Sequence, residues 1–161
     1  LEVRAGAARV SERSCTAYAN WHFYLQRGGR QECLDRIDHS AVSFEPEFAP
    51  RRRSWANNAT HLFTVSPLGN GLDCYRTWEA LLLGTIPVVR TSPLDPLYEG
   101  LPVCIVLDWS QVTRRYLEEQ REQLLEQKFA FEKVSMEYWA QLVQGHAIGS
   151  QPISIQAFLD A

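Results

Sequence analysis

The stretch from His61 to Asp108 constrains this chain more than any other. Two short apolar runs rich in β-branched residues, His61–Ser66 and Ile86–Arg90, are separated by a helix-favouring segment, Asp73–Leu83. A third run, Val103–Asp108, follows a turn around Asp95–Glu99. The runs at Ile86 and Val103 are almost continuously apolar, as strands are when both faces of their sheet are covered. Upstream, β-type runs at Thr16–Phe23 and Ala41–Phe44 alternate with helical segments at Arg30–Ile37 and Arg53–Asn58. The pattern predicts an α/β fold: a Rossmann-like, doubly wound parallel sheet of about five strands. Ile86–Val89 and Val103–Val106 are expected to be interior neighbours of His61–Ser66.

The 161 residues read as a single domain, 1–161, large enough to bury a core. A C-terminal helical segment, 113–145, is expected to pack on it. Within it, Thr113–Lys128 rests a narrow leucine stripe on the domain and Phe131–Val143 forms a second amphipathic helix. A net charge of −3 argues against a nucleic-acid partner, whose footprint is basic. The one basic cluster, Arg51-Arg52-Arg53, reads as a solvated loop after Pro50. No apolar run approaches the ~20 residues of a membrane span. The start at Leu1 suggests a piece of a longer protein. Cys15, Cys33, Cys74 and Cys104 are widely spread, with no metal-ligand spacing, and their disulfide state stays open. Asn58-Ala59-Thr60 is a glycosylation sequon that matters only in a lumenal chain. Glu45-x-Glu47 straddles Pro46 and reads as loop.

The chemistry concentrates behind the strand at His61. Ser66-Pro67 ends that strand, since proline cannot continue the ladder. Gly69-Asn70-Gly71 then permits a tight turn with exposed N–H groups, and Asp73 is placed to open the next helix. A strand, a glycine loop and a helix N-terminus together make an anion-binding corner at the carboxyl end of the sheet. On the helix, Tyr75, Trp78 and Leu82 are expected to face the sheet. Arg76 and Glu79, three apart, share another face and can pair with each other. Beside an anion corner they gain a second reading, with Arg76 on a diphosphate and Glu79 on ribose hydroxyls. No P-loop, complete dinucleotide fingerprint, nucleophile elbow or D-x-D pair is present. No metal or other cofactor is therefore expected.

The segments SPLGNGLDCYRTWEALLLGTIPVV and SPLDPLYEGLPVCIVLDW closely resemble the nucleotide-sugar-binding half of exostosin-type glycosyltransferases (glycosyltransferase family 47). The likeness is dense from Leu62 to Trp109. It is looser at YANWHFYLQRGGRQECL, which is similar to the family's first strand–loop–helix, and only compositional behind Val112. It implies one lobe of a GT-B enzyme that moves a sugar from a nucleoside diphosphate sugar to a glycan or glycoprotein hydroxyl. A second Rossmann-like lobe, outside this chain, would complete the acceptor site. The resemblance implies a nucleotide-sugar site that includes Ser66, Pro67, Gly69, Asn70, Gly71, Asp73, Arg76 and Glu79, with Ser66, the Gly69–Gly71 amides and Arg76 on the diphosphate and Glu79 on the ribose. Ser92 and Asp95, at the next strand's end, are expected to line the sugar pocket. Where members carry an arginine after Ser-Pro, this chain has Leu68, which removes one phosphate contact. No catalytic base is assigned; His22, His39, His61 and His146 are the local candidates. The compartment follows the parent: Golgi or ER lumen for a eukaryotic exostosin-type enzyme, cytoplasm for a viral one. The alternative is a non-catalytic nucleotide- or partner-binding module.

Overall fold

A computed structural model describes residues 8–146 and 148–161. Five strands form one sheet: β1 (Ser14–Ala19), β2 (Val42–Phe44), β3 (His61–Val65), β4 (Ile86–Arg90) and β5 (Cys104–Val106). Every neighbouring pair is parallel, in the order β2-β1-β3-β4-β5. The chain leaves β1 to one side, recrosses it to β3, and then continues outward. This is a doubly wound, Rossmann-like α/β domain, and the reversal opens a crevice at the carboxyl ends of β1 and β3.

The crossovers are helical: α1 (Arg30–Arg36), α2 (Arg51–Asn58) and α3 (Tyr75–Leu82), with only a 3-10 turn at Asp95–Tyr98 between β4 and β5. Side chains alternate across β3. Thr64 donates to Asn58 of α2 (2.6 Å), so that face carries α2. Phe63 and Val65 point the other way, in line with Ala17, Ile86 and Val88. Withdrawing each of the fully buried Leu62, Phe63 and Ile86 from water stabilises the fold by roughly 1.5–3 kcal/mol. Behind the sheet come α4 (Arg114–Leu125), which packs on β1, then α5 (Met136–Val143) and α6 (Ile155–Asp160).

Several expectations are corrected. β5 is an edge strand paired only with β4, because the β4–β5 crossover steps outward and nothing pairs beyond it among the described residues. The first strand ends at Ala19, where Trp21 and Tyr24 enter a turn. Arg51, Arg52 and Arg53 are not a loop but the exposed first turn of α2, which begins directly after Pro50. Phe131–Val143 is broken at Ser135, whose hydroxyl accepts from the Tyr138 amide and starts α5 anew after a 3-10 turn. The α3 face is also shifted. Thr77, Ala80 and Leu81 are buried, Tyr75 is 65% exposed, and Trp78 packs beside Tyr98 and Trp139 instead of on the sheet. Its indole had a better apolar partner in the C-terminal segment than in a sheet face already filled by small residues. The sequon Asn58 is buried in the last turn of α2, where its side chain holds Thr64.

Candidate functional site

Two loops meet at the β1/β3 crevice: Asn20–Gly29 after β1 and Ser66–Cys74 after β3. Their approach is close. A Cβ on Gly28, whose φ is +55°, would stand 2.6 Å from the Leu68 carbonyl oxygen and 2.7 Å from that of Gly69. Gly69 and Gly71 do not adopt positive φ, so the special backbone geometry lies on the β1 side of the crevice. The glycine loop after β3 is thus an ordinary-φ bend, not the expected positive-φ turn.

The sequence-derived residues fall as follows. Ser66 is buried, and its hydroxyl shares a hydrogen bond with Thr77 (2.9 Å), which ties the end of β3 to α3. Cys74, not Asp73, is the N-cap of α3, and no side chain caps that end. Asp73 instead accepts from the Trp78 indole (2.9 Å), because its exposed carboxylate lies one turn below that ring. Ser92 and Asp95 close their own loop: the Asp95 carboxylate accepts from the Ser92 amide (2.9 Å) and the Thr91 hydroxyl (2.6 Å). Asn70 and Gly71 are exposed at the loop tip.

Arg76 and Glu79 do not pair with each other. Arg76 is 7% exposed, and its Nη1 donates to the Pro67 carbonyl (3.1 Å) and to Cys74 Sγ (3.3 Å). Glu79 meets Arg51 of α2 at 3.6 Å. Arg51 also lies over the rings of Trp55 and Tyr75, 5.8 Å from each centroid. The three-residue spacing allowed an intrahelical pair. Burial decided otherwise, since Arg76 turns inward under the loop while Glu79 stays at the helix flank.

Sequence reasoning missed Arg30. It is 7% exposed at the first position of α1, and its Nη1 donates to the carbonyls of Trp21 and Tyr24 (3.3 Å each). Its Nε is buried and has no partner. Burial lowers its hold on the proton, and the positive charge of Arg76 lowers it further. Among the described residues neither guanidinium forms an ion pair with a carboxylate. The signal was present in Gly28-Gly29-Arg30, a glycine loop followed by an arginine opening a helix, repeated after β3 as Gly69–Gly71 and Arg76.

Glu45 lies in the loop after β2, as expected, but its carboxylate is buried. Tyr18 donates a short hydrogen bond to it, and the Asn57 amide reaches both of its oxygens (2.9 and 3.0 Å). Tyr18 also meets Ser54, which accepts from Asn20 (2.6 Å) at the crevice side. The thiols of all four cysteines are free, and burial pushes that of Cys104 up to about 12. No group of three or more metal-ligating side chains is gathered among the described residues, and no helix there is long and apolar enough to cross a membrane.

The fold and the crevice define a Rossmann-like domain with two buried arginines, Arg30 and Arg76, near its switch point. In comparisons with known proteins, no family model and no curated sequence matches this chain.

Proposed function

We propose that this chain is the donor-binding lobe of a glycosyltransferase, gripping a nucleoside diphosphate sugar at the β1/β3 crevice. The observation that carries this reading is Arg76, a buried arginine at the switch point held by a carbonyl and a thiol instead of a carboxylate. Burying a charge without a counter-charge is costly, and a diphosphate in the crevice would supply the counter-charge. Glu79, one turn further on, would accept from ribose hydroxyls on exchanging its exposed partner Arg51. The resemblance from Leu62 to Trp109 supports the same residues in the same roles.

In the transfer the acceptor hydroxyl oxygen bonds to the anomeric carbon as the bond from that carbon to the phosphate oxygen breaks. The electron pair leaves with the diphosphate, and the hydroxyl proton goes to a base. Arg76 would act on the leaving group, stabilising charge that grows in the transition state. A complementary lobe would bring the acceptor.

One observation favours a second reading, binding without transfer. Ser66 is engaged by Thr77 of α3, and Ser92 and Asp95 are engaged within their own loop, leaving little on this chain to orient a sugar.

Calorimetric titration with a panel of UDP- and GDP-sugars, their free nucleosides and the bare diphosphates tests the proposal. Arg76→Ala is expected to weaken diphosphates about tenfold or more and leave nucleosides nearly unchanged, as loss of one charge-assisted hydrogen bond implies. Glu79→Ala is expected to weaken both. Equal, small effects on every ligand would show that this face of α3 is structural.

A further inference from the structure

Beside the carboxyl end of β1 runs a line of side chains whose hydrogen bonds can point in only one direction. Glu45 in the loop after β2, Tyr18 on β1 and Ser54 on α2 are all buried, and half-buried Asn20 opens the crevice loop after β1. The line is rooted at Glu45. A carboxylate only accepts, and Asn57 Nδ2 donates to both of its oxygens (2.9 and 3.0 Å). Tyr18 therefore donates to Glu45, which uses its one proton. Towards Ser54 (3.0 Å) the phenol oxygen can then only accept, so the Ser54 hydroxyl donates. Ser54 has only lone pairs left, and it takes an N–H from Asn20 Nδ2 at 2.6 Å. Burial first, and then the bond to Glu45, make the Tyr18 phenol hold its proton more firmly than an ordinary tyrosine, which keeps this order near neutral pH.

Asn20 is thereby turned one way. With Nδ2 held by Ser54, Oδ1 lies on the other branch of the planar amide. There it is open to solvent and accepts no hydrogen bond from the described residues. An amide free to turn over would offer N–H and C=O alike. One of fixed polarity discriminates, because a ligand group that only accepts would leave Oδ1 facing another acceptor.

We propose that Asn20 Oδ1 is a fixed hydrogen-bond acceptor for a hydroxyl of the transferred sugar, with Ser54, Tyr18 and Glu45 as positioning residues that set its direction. The inference rests on the donor-lobe reading for the choice of a sugar. A hydroxyl can donate to Oδ1, whereas an ionised phosphate cannot. Asn20 thus supplies an orienting group from the β1 side, where Ser66, Ser92 and Asp95 supply none because they are engaged elsewhere.

The first test reads the amide itself. In ¹H–¹⁵N spectra of the unmodified protein, the Asn20 side-chain N–H pair is identified by its loss in Asn20→Ala. One proton is expected to be shifted and protected from exchange, the other not. Ser54→Ala should move the pair to the position of a free asparagine. Tyr18→Phe should move it too, since the Ser54 hydroxyl is then free to donate to Asn20 and the amide can turn over. Two unprotected protons in the wild type, or a pair unmoved in Ser54→Ala, overturn the proposal. If Tyr18→Phe does not fold, Ser54→Ala and the wild-type pair decide the matter.

The second test titrates a panel of UDP- and GDP-sugars beside UDP and GDP. Asn20→Ala is expected to weaken the nucleotide sugar about fivefold, the loss of one neutral hydrogen bond, and to leave its nucleoside diphosphate within about twofold. Equal weakening of the two places the contact on the nucleoside and overturns the sugar assignment. Unchanged affinity for nucleotide sugars, even with a lower denaturation midpoint, removes Asn20 as a binding residue and leaves the donor reading standing. No binding of any nucleotide removes the donor reading, and the sugar contact with it.

Discussion

Gly28 sets how closely the two switch-point loops can approach. Its positive φ and the two carbonyl oxygens that a Cβ would strike both require glycine. Gly28→Ala is expected to destabilise the fold by more than ~1 kcal/mol, because alanine fits neither the backbone nor the space. Gly71 has ordinary φ and nothing within 4 Å of a Cβ. Gly71→Ala should be neutral or stabilise by up to about 1 kcal/mol through the unfolded chain. Urea denaturation of the two variants checks the contrast, and equal losses would contradict it. Glu45 gives a second test at the same scale. Removing the Tyr18 hydroxyl takes away its short hydrogen bond and leaves a buried carboxylate under-satisfied. Tyr18→Phe is therefore expected to cost about 1–3 kcal/mol despite its nearly unchanged shape, measured in the same way.

At the scale of elements, the alternation of strand and helix was legible, and the boundaries moved by only a few residues. The orientation of α3 was not. Its sequence offers aromatic residues at Tyr75 and Trp78 and small ones at Thr77 and Ala80, and either stripe has helical spacing. The sheet took the small stripe, since Thr77 must reach Ser66 and the helix must lie close. Helix α6 was not foreseen at all. It follows an antiparallel bridge between Phe129 and Ile153, stacks Phe158 on Phe131 at 4.0 Å, and sets Leu159 over Gly84. If this docking is part of the fold, Phe158→Ala should cost about 1–3 kcal/mol, less than a fully buried phenylalanine because the ring is half-exposed. A change within ±0.5 kcal/mol, the ordinary surface range, would show that α6 is only loosely attached.

For the whole molecule, two histidines make stability fall toward acid. His22 and His61 hold their protons less firmly than an ordinary imidazole, mainly because burial strips water from the charged ring. Their folded values lie below the unfolded one, so the unfolded chain takes up protons first as pH falls. Their contribution is complete above about pH 6.5 and is lost as pH drops through the lowered folded values. The urea midpoint is expected to fall between about pH 7.5 and about pH 5.5, and His61→Asn should flatten that slope. An unchanged slope in the variant would remove His61 from the account. Nucleotide binding is expected to survive EDTA, since the proposed grip on the diphosphate is made by the Arg76 guanidinium. A strict Mn²⁺ or Mg²⁺ requirement in titrations with and without chelator would show that the diphosphate lies elsewhere.

The sequence by itself determined the fold class and which glycine-bearing loop follows β3. Apolar runs of strand length, separated by helix-length segments, leave few packings besides a parallel sheet with helices on both faces. The glycine-bearing loop after β3 then marks a carboxyl end of that sheet. Those signals are local, carried by periodicity and by residues that break it. Tertiary structure alone decided the partners. Arg76 left Glu79 for Pro67, Glu79 met Arg51, and Arg30 came beside Arg76 from a strand and a helix more than forty positions earlier in the chain. Spacing along a helix states which side chains can meet. Burial and the crossing of distant loops settle which ones do, because each buried polar group takes the partner that the packed chain brings within reach.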